Sequence, residues 1–189
     1  MGLPTKRLGL RDVQPLLVDD NPQSADLIGG ILMGFGISHA TKSPSVADAR
    51  KLLARKAFDV VMINCEMAEE DSFDLVREIR ADPQSPNGCA PVLMLSARTG
   101  QQTVLKARDA GANFTIAKPV SPLVLLERLL WIAQSNRAFV NETSYRGPDR
   151  RFRTEPLPMG EEERRAEDLR LTATPDRALS QDEINGLFQ

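Results

Sequence analysis

The sequence predicts a doubly wound α/β domain built on a five-stranded parallel sheet. Short apolar runs recur along residues 13–135, and each is followed by a helix signal. The central run, Phe58-Asp59-Val60-Val61-Met62-Ile63, reads as a strand buried on both faces, because four apolar residues follow one another between polar ones. Polar residues then crowd the ends of the runs: Asp19-Asp20, Asn64, Ser96 and Lys118-Pro119. In open α/β sheets chemistry gathers beyond the carboxyl ends of the strands.

Taken in order, residues 1–12 are polar and are expected to fray. Gln14–Val18 is the first strand. Asn21-Pro22 supplies an N-cap and a proline at the first helical position, and the helix should reach Met33 before Gly34 and Gly36 stop it. Ile37–Thr41 is expected as a short second strand. Ser43-Pro44 reads as the next cap, with Val46, Ala49, Leu52 and Leu53 at helical period. After the central strand, Phe73, Leu75, Val76 and Ile79 mark a third helix, and residues 83–88 a loop. Pro91–Ser96 is a strand and Gln101–Ala110 a helix closed by Gly111. Phe114–Ala117 is the last strand, and Ser121-Pro122 opens a leucine-rich helix to about Gln134.

Composition narrows the function classes. With 41% apolar residues the chain can bury a core, and a formal charge of −2 favours neither a nucleic-acid binder nor an acidic tail protein. Cys65 and Cys89 have no metal-ligand or redox spacing and are expected as buried, reduced thiols. No apolar run approaches the roughly 20 residues of a membrane span, so a cytoplasmic protein without membrane insertion is expected. His39 has no nucleophile placed beside it, and no enzyme is expected.

Asp19, Asp20, Asn64, Ser96 and Lys118 should converge on one spot, since each ends a strand. Two carboxylates can bind a hard cation, a third would accept a phosphoryl group, and a lysine would neutralise it. Leu-Leu-Val-Asp-Asp-Asn, Asp-Val-Val-Met-Ile-Asn, Leu-Ser-Ala and Ala-Lys-Pro follow one another at suitable spacing. Over residues 13–135 the chain thus resembles the CheY-like receiver domain of response regulators, which implies strand order 2-1-3-4-5. The departures are specific. Asn64 stands at the position of the family's phosphoacceptor aspartate, and an amide has no nucleophilic carboxylate oxygen. Ala68 and Ser72 replace the usual proline and glycine of the adjoining loop, and Thr115 stands where the switch aromatic sits. Asp71 or Glu66 could substitute as acceptor only if the loop re-aimed its side chain. The expectation is a pseudo-receiver, with Asp19 and Asp20 holding Mg²⁺ weakly or not at all and surviving with Lys118 as an ion-pair cluster.

Beyond the receiver the tail reads as largely extended. Residues 136–154 concentrate arginine: Arg137, Arg146, Arg150, Arg151 and Arg153 lie around Tyr145 and Asp149. Arginine forks pair with guanine edges and phosphates and stack on purines, and Asp149 can accept from a guanine edge. Arg146 and Arg150 also have the RxxxR spacing of PilZ domains, a common pattern. A receiver followed by Ala-Phe-Val and Tyr-Arg-Gly-Pro-Asp-Arg-Arg-Phe-Arg is similar to the Cle-type, CheY-like cyclic di-GMP effectors of alphaproteobacteria. That resemblance implies cyclic di-GMP as ligand of those arginines and Asp149, with Tyr145 or Phe152 stacking, and action at the flagellar motor. Asn141 lies where another basic residue is expected. A solvated basic linker is the plain alternative, and nucleic acid is disfavoured by the neighbouring acids.

Residues 155–178 read as a flexible linker, and 179–189 as an amphipathic peptide helix. Ser180 and Glu183 form a capping box, Leu179 and Ile184 a hydrophobic staple, and Ile184, Leu187 and Phe188 one apolar face. So short a helix should fold only on a partner. The stretch is similar to the CheY-binding N-terminal segment of the flagellar switch protein FliM and to the C-terminus of CheZ. It could dock on its own receiver, recruit another, or pack as a terminal core helix. The whole reads as a non-enzymatic adaptor acting on flagellar or chemotaxis proteins (FliM-like or CheY-like). The alternative is a phosphorylation-independent scaffold or a single-domain response regulator without a nucleotide ligand.

Overall fold

Val60–Asn64 (β3) lies in the middle of the sheet, and all five of its residues are buried. The computed structural model describes residues 10–82, 84–134, 139–141, 145–148 and 178–188. Five parallel strands, β1 (Pro15–Val18), β2 (Thr41–Ser43), β3, β4 (Val92–Ser96) and β5 (Phe114–Ala117), take the order β2-β1-β3-β4-β5. Five helices alternate with them: α1 (Pro22–Gly34), α2 (Val46–Leu53), α3 (Ser72–Ala81), α4 (Gln101–Ala110) and α5 (Pro122–Gln134). The order reverses between β1 and β3. Right-handed crossovers then put α1 on one face and α2, α3 and α4 on the other. The register pairs Val18 with Ile63, Asn64 with Leu95 and Ser96 with Ala117, so the polar strand ends line up along one edge.

Several expectations need correction. The second strand is Thr41–Ser43 rather than Ile37–Thr41. Ile37 is buried under the end of α1, and the cap of α2 is Ser45, whose hydroxyl accepts from Asp48 N, which leaves Ser43 free to pair with Val18. Leu10–Asp12 does not fray but forms a 3-10 turn, with Leu10 packed against the core. Cys89 is exposed and Cys65 only half-buried. In the turn that carries Cys89 the interior position belongs to Asn87, which bonds Leu53 O, Lys56 O and Phe58 N.

Among the described residues, three further elements follow α5. Phe139–Asn141 (β6) and Arg146–Pro148 (β7) form an antiparallel ladder that packs on α3. The ladder touches the domain through glycines. Gly111 ends α4 with φ +103°, and a Cβ there would lie 2.7 Å from Arg146 O. Gln181–Leu187 (α6) carries the capping box between Ser180 and Glu183. It folds on its own chain, against β5 and α4, rather than waiting for another molecule. Ile184 and Phe188 join the hydrophobic core. Among the described residues no helix is long and apolar enough to cross a membrane.

Candidate functional site

The strand ends bring Asp19, Asp20, Asn64, Ser96 and Lys118 to one edge, as their positions predict. Asp19 is buried and holds three donors: Lys118 Nζ at 2.9 Å, Ser24 Oγ at 2.6 Å and Asn21 N at 3.0 Å. Asp20 accepts from Ala68 N at 2.9 Å and from Asn64 Nδ2 at 3.1 Å. The ion pair is therefore Lys118 with Asp19, while Asp20 is held by amides.

Asn64 spans the cluster. Its amide oxygen accepts from Lys118 Nζ at 2.9 Å, and its amide nitrogen donates to Asp20 and to Glu66 O at 3.2 Å. The two ends of an amide have opposite polarity, so a carbonyl facing an ammonium and an NH₂ facing a carboxylate satisfy both neighbours. A divalent cation at Asp20 would meet an N–H donor where it needs an oxygen ligand. With the amide turned this way, the donor set does not fit a divalent cation.

Glu66 is aimed into the site. Its carboxylate accepts from Ser96 Oγ at 2.6 Å, Ala97 N at 3.1 Å and Arg98 N at 3.2 Å. The loop has thus re-aimed one of its acids, though toward donors at the end of β4. Asp71 is not available in that way, because it caps α3 by accepting from Phe73 N at 2.8 Å. Ser72, where glycine was expected, is buried and donates to Cys65 O at 2.9 Å. Burial pushes the Cys65 thiol up to about 12, and the Glu66 charge adds to it.

The face formed by β5 and α4 is occupied. Gln181 reads the open edge of β5 with both ends of its side chain, donating to Thr115 O at 3.0 Å and accepting from Ala117 N at 2.9 Å. An edge strand leaves such groups unpaired, and one amide satisfies two of them. Phe188 lies 5.8 Å from Phe114, ring to ring, and Phe114 meets Trp131 edge-on at 4.8 Å. Thr115, at the switch position, is fully buried. Of the peptide residues, Ser180 and Glu183 make the capping box, Ile184 and Phe188 are buried, and Leu179 and Leu187 are half-buried. Gln181 was missed at the sequence level. Its position just after the cap is the only signal it gives.

Of the expected ligand residues in the arginine-rich segment, Tyr145 and Arg146 are described. Tyr145 Oη donates to Pro148 O at 3.1 Å, and Arg146 Nη1 donates to Ala81 O at the end of α3. Arg137, Asp149, Arg150, Arg151 and Arg153 lie outside the described residues. Arg80 was not singled out from the sequence, yet it organises this end of the domain. Its buried guanidinium donates to Gly88 O, Ala90 O, Gly111 O and Asn113 Oδ1, and it stacks 5.0 Å from the Phe139 ring. Burial pushes its pKa down to about 10, which still leaves it charged at neutral pH.

Known proteins are similar to the receiver part of the chain. Chemotaxis protein CheY1 of Helicobacter pylori is 30% identical over 122 residues, 64% of this chain and 97% of that protein. Chemotaxis protein CheY-3 of Vibrio cholerae is 28% identical over 119 residues, 63% of this chain and 90% of that protein. The receiver domain of sensor histidine kinase PA1611 from Pseudomonas aeruginosa, solved with magnesium in its active-site cleft, is 28% identical with a TM-score of 0.58. That likeness covers 65% of this chain and 98% of the other. The Vibrio cholerae chemotaxis response regulator CheY4 shares the fold, with 24% identity, a TM-score of 0.57 and coverage of 64% and 98%. The family model for the response regulator receiver domain matches residues 16–130, more than half of the sequence, and the chain belongs to that family.

Proposed function

We propose that this chain is a non-enzymatic cytoplasmic adaptor, a receiver that works without phosphorylation and acts on flagellar motor or chemotaxis proteins. The observation that carries the reading is the Asn64 amide held between Asp20 and Lys118. It puts an unreactive group at the acceptor position and satisfies the charges that phosphorylation and Mg²⁺ would otherwise engage. The similarity to CheY proteins and the FliM-like peptide support a chemotaxis or motor partner.

The input in this reading is cyclic di-GMP, bound by Arg137, Tyr145, Arg146, Asp149, Arg150, Arg151 and Arg153. The β6–β7 ladder supports it by anchoring the start of that segment to α3 and Arg80, so a ligand held there would lie against the receiver. Calorimetry of the full chain with cyclic di-GMP, beside an Arg150→Ala, Arg151→Ala double variant, tests it. Micromolar binding that the variant loses is the expected result.

A scaffold without a nucleotide ligand is the second reading, and the docked α6 favours it. A receiver whose β5–α4 face already holds a helix can exchange that helix for a partner's without any second messenger. Absence of binding heat with cyclic di-GMP would move this reading to first place.

A further inference from the structure

Main-chain N–H groups just past the end of a strand have no ladder partner, and two consecutive ones beside a hydroxyl make a small anion-binding concavity. Ala97 N, Arg98 N and Ser96 Oγ form such a concavity at the end of β4, facing the end of β3. In this chain the concavity is filled from within. Glu66 places both carboxylate oxygens on the three donors, at 2.6, 3.1 and 3.2 Å. Hydrogen bonds to an ionised acceptor are about twice as strong as neutral ones, so this contact reinforces the turn that follows Ser96, in which Arg98 N also donates to Ser96 Oγ at 3.1 Å and that hydroxyl lies 2.8 Å from Arg98 O.

The same turn grips the C-terminal peptide. Thr99, buried one residue beyond Arg98, donates its hydroxyl to Leu179 O at 2.9 Å, and its main-chain carbonyl accepts from Leu179 N at 2.8 Å. Gly100 forms an antiparallel bridge with Ala178. Leu179 and Ser180 lead directly into α6, whose Gln181, Ile184 and Phe188 cover β5. The connected contacts run from Glu66 through residues 96–100 to residues 178–188.

We propose that Glu66 is a resident anion that holds the turn between β4 and α4 in its peptide-gripping form, so that α6 docks without any phosphodonor. Glu66 is a positioning residue: it acts on α6 through Thr99 and Gly100. The inference rests on the reading of Asn64 as unable to accept a phosphoryl group. Its failure is separable from that reading, because no phosphodonor enters the test.

The experiment is amide hydrogen exchange by NMR on the full chain and on Glu66→Ala, alone and with sodium acetate or inorganic phosphate titrated in. Sodium chloride serves as control. The variant should exchange the Ile184, Leu187 and Phe188 amides about tenfold faster or more, while Leu16 and Met62 in the sheet stay protected. Acetate or phosphate should restore slow exchange saturably. Neither should do so in Glu66→Ala combined with Ser96→Ala, and Glu66→Asp should fall between the parent and Glu66→Ala. Unchanged exchange at α6 would overturn the proposal. So would faster exchange that no anion restores, or an equal loss of protection in the sheet and in α6, since either would make Glu66 a general packing residue.

Discussion

Thr99 and Leu179 hold each other by two hydrogen bonds across 80 positions of sequence, Leu179 N to Thr99 O at 2.8 Å and Thr99 Oγ1 to Leu179 O at 2.9 Å. This pair ties the turn after β4, beside the polar strand ends, to the C-terminal peptide. The docked peptide covers the open edge of β5 and sets an aromatic ring on Phe114, so site, turn and peptide form one continuous structure.

Restoring a carboxylate at position 64 should reveal the role of Glu66. In Asn64→Asp the new acid would face Lys118 and Asp20, and affinity for Mg²⁺ should rise with ligand charge. Labelling by acetyl phosphate should stay low while Glu66 holds the Ser96, Ala97 and Arg98 donors. The Asn64→Asp, Glu66→Ala double variant should label severalfold more. Intact-mass measurement compares the two, and equal labelling would contradict the assignment.

Gln181 and Phe188 should dominate the docking of α6. Gln181→Glu removes the donor to Thr115 O and sets a charge against a carbonyl, a loss of about 1–3 kcal/mol. Phe188→Ala removes a buried ring, which typically costs about 3–5 kcal/mol in a core. Trp131, the only tryptophan, packs on the same Phe114 ring that Phe188 meets and reports the change. Its emission should shift to the red in both variants, more so for Phe188→Ala.

Arg80 should be a stability residue out of proportion to its charge. Replacing it with alanine leaves the buried Gly88 O, Ala90 O and Gly111 O short of a donor, leaves Asn113 Oδ1 with Val92 N alone, and removes the surface under Phe139. A loss of about 3 kcal/mol or more is expected in urea unfolding. Lysine should recover only part of it, since an ammonium cannot span the same acceptors.

The two thiols should differ sharply in reactivity. Cys89 is exposed, whereas burial holds the Cys65 thiol near 12, well above the ordinary thiol range, so its thiolate is scarce at pH 8. The sign is that of a raised acid: the thiolate forms only as pH climbs toward the shifted value. Iodoacetamide at pH 8 should alkylate Cys89 and leave Cys65 largely unmodified, as read by peptide mass spectrometry.

The strands and helices were legible because their signals are local. α4, β5 and the end of α5 fall where periodicity and glycine placed them, and the polar strand ends made the site visible as a set. The second strand was not, because Ser43 and Ser45 both look like caps and only packing decides which one serves. Arg80 and Asn87 were invisible for a related reason. Each satisfies carbonyls distant in sequence, and no spacing rule announces such partners. Glu66 is visible in the sequence as an acid two residues beyond Asn64, but its actual partners depend on the direction of a loop, which sequence pattern does not encode. The peptide was recognisable by its cap and apolar face, whereas its docking on β5 required the Thr99 and Gln181 contacts.

The most direct measurement is the intact mass of the full chain after incubation with acetyl phosphate or phosphoramidate and Mg²⁺. An unchanged mass, with α6 amides equally protected before and after, is the predicted result. A stoichiometric gain of one phosphoryl group, mapped to an aspartate or glutamate of the site, would contradict the account.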